Sequence, residues 1–327
     1  AMMQSAKLLN SSSFDEIEKL IKDALVLGTD NNFGHDFHKD ALRRFELAAR
    51  DPITTGWSQM DEICKGGLGN SELGVVVAPT GAGKSMVLVH LATQALLLGK
   101  TVVYYTLELK DTTVGQRFDC CLTKTHLGEH KQKKEEILKK IEDIDGTLII
   151  KEYPTKSASV QTIKNHIEKL RKRGINPDII LLDYADLLRP VRSSSEKRHE
   201  LEETYEGLRG LAQSYDIPCW TASQTNRGGL NAEVITMEAI SEAFNKCFVA
   251  DFIFSLSRTT LDKQSNKGRV FIAKNRNGPD GIVFDAHVDW SDVTINILDR
   301  NESVEKMQTT TEARKILKEK YEQLQRK

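Results

Sequence analysis

Two apolar rhythms run along this chain. One is a set of stripes at helical spacing, and the other is a set of short, near-continuous runs rich in β-branched residues. The stripes predict helices facing a core, and the runs predict buried strands. Phe14, Ile17, Leu20, Ile21 and Leu25 share one stripe over residues 14–27, and residues 37–51 carry a second that ends before Pro52. A buried strand is predicted from Glu72 to Ala78, followed by a helical pattern up to Gly99. Further strands are expected at 101–109, 147–153, 178–183 and 218–223. Between them lie helical patterns at 112–125, 133–144, 160–173 and 199–215, the third stopped by Gly174. Strand-like runs at 250–258, 269–276, 281–289 and 293–298 follow, and residues 302–327 read as a final helix of mixed charge.

Strands that alternate with helices build a parallel sheet covered on both faces. The four late runs lie close together with a turn sequence, Asn277 to Gly281, among them, so they are expected to join as antiparallel strands. The expected fold is therefore α/β, with a mostly parallel twisted sheet flanked by helices and antiparallel strands added at the C-terminal end. Three segments are expected: a helical linker or docking segment over 1–50, the α/β domain over 51–300, and a polar tail helix over 301–327.

Composition changes this picture little. The chain has 327 residues, 39% of them hydrophobic and 28% charged, with a formal net charge of −1. A near-neutral chain announces no global affinity for nucleic acid, so any such surface must be a local basic patch. No apolar run approaches the length of a membrane span, and the first residues lack the apolar core of a secretory signal. The five cysteines include no CxxC pair, which fits a reducing cytoplasm. His35 and His38 form an HxxH beside Asp36 and Asp40, and without a second ligand pair this reads as a solvated loop.

The chemistry begins where the first strand breaks. Ala78 is followed by Pro79, Thr80, Gly81, Ala82, Gly83, Lys84 and Ser85, and then by the helical pattern. Strand, glycine-bearing loop and helix together make a phosphate-binding loop. Backbone N–H groups at a helix start lack partners and carry partial positive charge. Glycines let such a loop curl round an anion, Lys84 reaches the outer phosphates, and the Ser85 hydroxyl is placed to ligate Mg²⁺. The strict pattern starts with Gly where this chain has Ala78, a residue small enough for that turn. ATP or another nucleoside triphosphate with Mg²⁺ is the expected ligand.

Other strand ends carry polar side chains, and ligands of an open α/β sheet bind at those ends. Asp183 is placed to orient Mg²⁺, Glu108 to polarise a water, and Gln224 to sense the γ-phosphate without repelling it.

Taken in order, TGWSQMDEICKGGL, APTGAGKS, YTLEL, IILLDYADLL, TASQTNR and IAKNRNGPDG resemble the C-terminal motor domain of DnaB-type replicative helicases, and IIKEYPT looks most like the tailed-phage members. The resemblance spans roughly residues 50–300. It implies a RecA-like P-loop fold and a hexameric ring with nucleotide between subunits. It also implies single-stranded DNA threaded through the ring with 5′→3′ movement, and a primase or loader as further partner. By position Glu108 matches the catalytic glutamate, Asp183 the magnesium carboxylate and Gln224 the coupling glutamine. Lys274 and Arg276 match the basic pair inserted into the neighbouring subunit's site, and they are expected at the edge of the domain. The family's DNA loop carries Arg-Glu-Ser-Gly where this chain has Ser241, Glu242, Ala243 and Phe244, so Glu242 is kept and the arginine is not. Lys246, Arg227 and the basic 189–198 loop, with Arg189, Arg192, Lys197 and Arg198, are the substitutes for phosphate contact. Two other readings share the phosphate loop: a RecA-, RadA- or KaiC-like ATPase or recombinase, and an ATP-binding helicase-loader adaptor.

Overall fold

The computed structural model describes residues 34–42, 50–190, 197–225, 234–235 and 247–300, with the side chains of 197, 299 and 300 left out. The expected helices over 14–27 and 302–327 lie outside these residues. The chain divides into two units, Ala1–Ala49 and Arg50–Lys327. Within the first, residues 37–42 form turns held by Asp36, whose carboxylate accepts from the backbone N–H groups of His38 and Lys39. The second unit carries everything that follows.

Its elements in chain order are α1 (Ser58–Ile63), β1 (Leu73–Ala78), α2 (Lys84–Leu97), β2 (Thr101–Thr106) and α3 (Asp111–Thr123). Then come α4 (Lys134–Glu142), β3 (Thr147–Glu152), α5 (Val160–Arg171), β4 (Ile179–Asp183), α6 (Lys197–Tyr215) and β5 (Cys219–Gln224). The chain closes with β6 (Phe252–Ser257), α7 (Thr260–Gln264), β7 (Lys267–Asn275), β8 (Val283–Asp289) and β9 (Thr294–Arg300).

Among the described residues, the strands join one nine-stranded sheet in the order β3-β2-β4-β5-β1-β6-β7-β8-β9. Pairing is parallel from β3 to β6 and antiparallel from β6 to β9. The period of two in each strand sorts its side chains onto opposite faces. Val76, Tyr104 and Leu181 enter one core with Leu88, Leu91 and Ala95 of α2 and Phe118 of α3. Val75, Val77, Tyr105 and Leu182 enter the other with Ile163 and Ile167 of α5 and Leu208 and Leu211 of α6. Each fully buried Val or Leu contributes about 1.5–3 kcal/mol, so strands apolar on both faces are held from both sides. Gly74 sits in mid-strand because the indole of Trp220 occupies its side-chain space, where a Cβ would lie 2.4 Å from Cε3.

Two expectations are corrected. β2 stops at Thr106, so Glu108 stands two residues past the strand rather than at its end. Thr106 turns the chain there, its hydroxyl donating to Leu109 O and accepting from Leu109 N. Lys197 and Arg198 open α6 rather than closing the preceding loop, and Arg198 pairs with Glu202 one turn on. Lys274 and Asn275 close β7, a strand that lies between β6 and β8. The five cysteines are all free and buried. Among the described residues no helix is long and apolar enough to cross a membrane.

Candidate nucleotide site

The loop after β1 has the shape an anion needs. Gly81 and Gly83 adopt φ of +72° and +108°, a region closed to most side chains. Gly83 caps α2 without a side-chain hydrogen bond, so the first-turn N–H groups stay available to a ligand. Lys84 Nζ lies 3.4 Å from the carbonyls of Ala78 and Pro79 and 5.5 Å from the Tyr184 ring, folded over the loop.

A cavity of about 260 Å³ opens above this loop, lined by Thr80, Gly81, Gly83, Lys84, Ser85 and Met86 together with Glu108, Arg117, Tyr184, Gln224 and Trp290. Pockets for whole drug-sized ligands run to roughly 300–1,000 Å³, so this volume suits a phosphate chain better than an entire nucleotide. Glu108 reaches the cavity from the loop after β2 and is exposed.

Asp183 lies beneath Ser85 at the end of β4 and is fully buried. Its Oδ2 accepts from the Tyr104 hydroxyl at 3.3 Å, and its Oδ1 has no hydrogen-bond partner. Burial raises the Asp183 pKa above the usual carboxylate value, opposed by the Ser85 hydroxyl and Arg117 and reinforced by the charge of Glu108. An orphaned carboxylate oxygen beside a serine hydroxyl fits a hydrated cation, which would satisfy it through water. No cluster of three or more acidic, His or Cys ligands occurs among the described residues.

Gln224 is oriented from three elements. Its Nε2 donates to Thr80 Oγ1 at 2.7 Å, its Oε1 accepts from Tyr184 at 3.4 Å, and its backbone N–H meets Asp186 Oδ2 at 3.3 Å. Tyr205 of α6 donates to the other oxygen of Asp186 at 2.9 Å. The amide therefore links the phosphate loop to α6 through a chain of hydrogen bonds.

Four lining residues escaped the sequence reading: Met86 and Tyr184, each directly after a residue it named, and Arg117 and Trp290. Arg117 enters from α3, and nothing in its spacing from Glu108, which lies in the loop before that helix, announces it. Trp290 arrives on the β8–β9 turn, far away in sequence, with nothing local to signal it. Its indole packs on Gly83, where a Cβ would lie 2.1 Å from Cζ2, and its Nε1 is buried without a partner. Gly83 is thus glycine both for its φ and for this contact.

Lys274 and Arg276 are not at this site. β7 runs antiparallel to β6, with Asn275 opposite Phe252, the first residue of β6. β6 is parallel to β1, so Arg276 stands at the end of the sheet opposite the phosphate loop. The length of β1, about 20 Å at roughly 3.3 Å per residue, separates the two. Of the expected DNA contacts, Arg189 is exposed after β4 and Arg198 is ion-paired on α6, whereas Arg192, Arg227, Glu242 and Lys246 lie outside the described residues.

Residues 52–296 match the family of the DnaB-like helicase C-terminal domain. The DnaB-like replicative helicase of Enterobacteria phage T4 is 28% identical over 261 residues, covering 74% of this chain and 54% of that protein. The replicative DNA helicase DnaB of Haemophilus influenzae is 24% identical over 253 residues, covering 71% of this chain and 52% of that protein. The chain thus spans about half the length of the curated relatives it matches. A solved ATPase domain superposes with a TM-score of 0.69 at 17% identity, covering 81% of this chain and all of that one. A DnaB-like replicative helicase, solved in a study of its interactions with primase, gives 0.67 at 17% identity over 91% of this chain and 75% of that one. With the family match running over residues 52–296, from before β1 and its phosphate loop into β9, the chain belongs to the DnaB-like helicase C-terminal domain family.

Proposed function

We propose that this chain is the ATP-driven motor of a replicative DNA helicase, moving 5′→3′ along single-stranded DNA as a hexameric ring. The observation that carries the proposal is the convergence of Lys84, Ser85, Glu108 and Gln224 on one cavity above the buried Asp183, within the family match. That match favours a helicase motor over a recombinase, clock-type ATPase or loader.

In this reading Pro79 to Ser85 cradle the phosphates, and Lys84 balances their charge. Ser85 and Asp183 hold Mg²⁺, which when bound neutralises the phosphate oxygens. Glu108 accepts a proton from the attacking water. Gln224 senses the γ-phosphate and passes its loss through Asp186 and Tyr205 to α6, whose N-terminal end carries Lys197 and Arg198. Lys274 and Arg276 serve the nucleotide of the adjacent subunit, since they stand at the wrong end of the sheet to serve their own. A primase or loader is proposed as a further partner, and the cytoplasm of a bacterial or phage-infected cell as the location.

Glu108→Gln keeps the shape of the side chain and removes its basicity. Nucleotide binding should stay within about twofold while turnover falls on the order of 10²–10⁴-fold, the usual range for one general base. Single-turnover phosphate release checks this, and near-normal turnover would assign the water to another group.

The function itself is tested by ATPase and strand separation with and without single-stranded DNA. DNA should stimulate turnover, and affinity should fall steeply with salt and ignore base sequence. Each phosphate contact removed, for example with Arg189→Ala, should flatten the log–log salt slope by about 0.7. ATPase indifferent to DNA, or binding that ignores salt, would defeat the motor reading.

A further inference from the structure

Asp251 immediately precedes β6, at the end of the sheet that carries Arg276. Its carboxylate is only 7% exposed and receives donors from three directions. The backbone N–H of Leu73 donates to Oδ2 at 3.0 Å, closing the first rung between β1 and β6. Arg209 of α6 forks onto it, Nε to Oδ2 at 3.2 Å and Nη2 to Oδ1 at 3.0 Å. Arg276 meets Oδ1 through Nη1 at 3.0 Å, and its own backbone N–H donates to Asp251 O at 3.0 Å.

The turn around Arg276 is held on the other sides as well. Asn275, which is buried, donates to Ile63 O at 2.8 Å and to Pro279 O at 3.1 Å. Asn277 donates to Glu72 Oε1 at 3.0 Å, and that carboxylate is forked by Arg50. Lys274 lies over the Phe248 ring at 4.3 Å and donates to the Phe248 carbonyl. Burial and the neighbouring charges of Arg276 and Arg209 hold the pKa of Lys274 below the usual lysine value, opposed by Asp251. Two arginines therefore share one carboxylate, with the charge of Lys274 close by.

Sharing is the point of this arrangement. A carboxylate given wholly to Arg276 would neutralise it and bind it against the domain. A carboxylate already forked by Arg209 fixes one nitrogen of Arg276 and leaves the cluster with surplus positive charge. Arg276 is 42% exposed against 26% for Arg209, so the surplus faces solvent at the outer member. Resting on the proposal that Arg276 acts in the adjacent subunit, we infer that Asp251 and Arg209 are positioning residues for that arginine: together they hold its guanidinium by one edge and keep it attractive to the phosphate of the neighbour's nucleotide.

The test is subunit mixing, read as DNA-stimulated ATPase, with nucleotide affinity measured separately by a fluorescent ATP analogue. Asp251→Asn should lower kcat about 10–100-fold, the scale of a misplaced reacting group. Its own nucleotide affinity should hold, because its own phosphate loop is intact. Mixed with Lys84→Ala subunits, it should regain turnover just as Arg276→Ala does, because each supplies what the other lacks. A general folding defect gives no such rescue. Arg209→Gln is a partly exposed change that spares the β1–β6 rung, and it carries the same mixing test if Asp251→Asn fails to fold. Rescue of Arg276→Ala without rescue of these variants overturns the positioning role alone. Normal turnover of Arg276→Ala overturns the trans reading and this inference with it.

Discussion

Lys84→Ala is expected to abolish ATP turnover and to weaken nucleotide binding about 10–100-fold, the range of charge-assisted hydrogen bonds worth roughly 1.5–3 kcal/mol. The two effects differ in size for a physical reason. Binding also draws on the backbone N–H groups of Gly81 to Ser85 and on the uncapped start of α2, none of which the substitution touches. The chemical step depends on Lys84 more steeply, because charge on the transferring phosphoryl group must be balanced by cations set in place beforehand. In the structure Lys84 folds back on the carbonyls of Ala78 and Pro79 at 3.4 Å, long contacts that a phosphate can replace with little loss. Titration with a fluorescent nucleotide and a phosphate-release assay separate the two effects. Unchanged turnover would remove this loop from the chemistry.

Arg276→Ala should lower ring turnover by on the order of 10³-fold or more, the usual contribution of an arginine supplied in trans. Arg276 follows a strand whose end abuts the beginning of β6, and the phosphate loop follows the far end of β1, which is parallel to β6. An arginine side chain cannot span that strand length, so any phosphate it serves would have to belong to another subunit. A head-to-tail interface brings unlike surfaces together, as this arrangement needs. Arg276→Ala and Lys84→Ala should each be inactive alone, and mixed rings should recover part of the ATPase. If mixed rings demonstrably form and stay inactive, hydrolysis requires every interface to be intact, and a monomeric form then decides: an equal loss of turnover there would place Arg276 in its own subunit's chemistry.

Much of the site was legible because its signals are local. A buried strand, a glycine turn and a lysine–serine pair are consecutive, and their backbone demands leave few alternatives. Asp183 and Gln224 were legible for a related reason, since each ends a strongly apolar strand. Glu108 was found by its place after an apolar run, but the strand stops earlier because Thr106 closes its own turn, and no propensity announces that hydrogen bond. What stayed hidden depends on tertiary pairing. The late strands read as antiparallel hairpins, and nothing in them says that β7 would lie inside the sheet, covered on its outer side by β8 and β9. Trp290 reads as one more aromatic residue at a turn until the β8–β9 connection carries it onto Gly83. Asp251 reads as a polar residue before an apolar strand, and its two arginines come from elements far apart in sequence.

That indole has an optical consequence. The chain holds three tryptophans, and Trp57 and Trp220 are 3% and 2% exposed inside the cores. Trp290 alone of them lines the cavity, stacked on the glycine that opens α2. Ligand entering the loop should therefore change the emission of Trp290 more than that of the two buried rings, so the intrinsic fluorescence of the chain is expected to follow nucleotide binding without a dye.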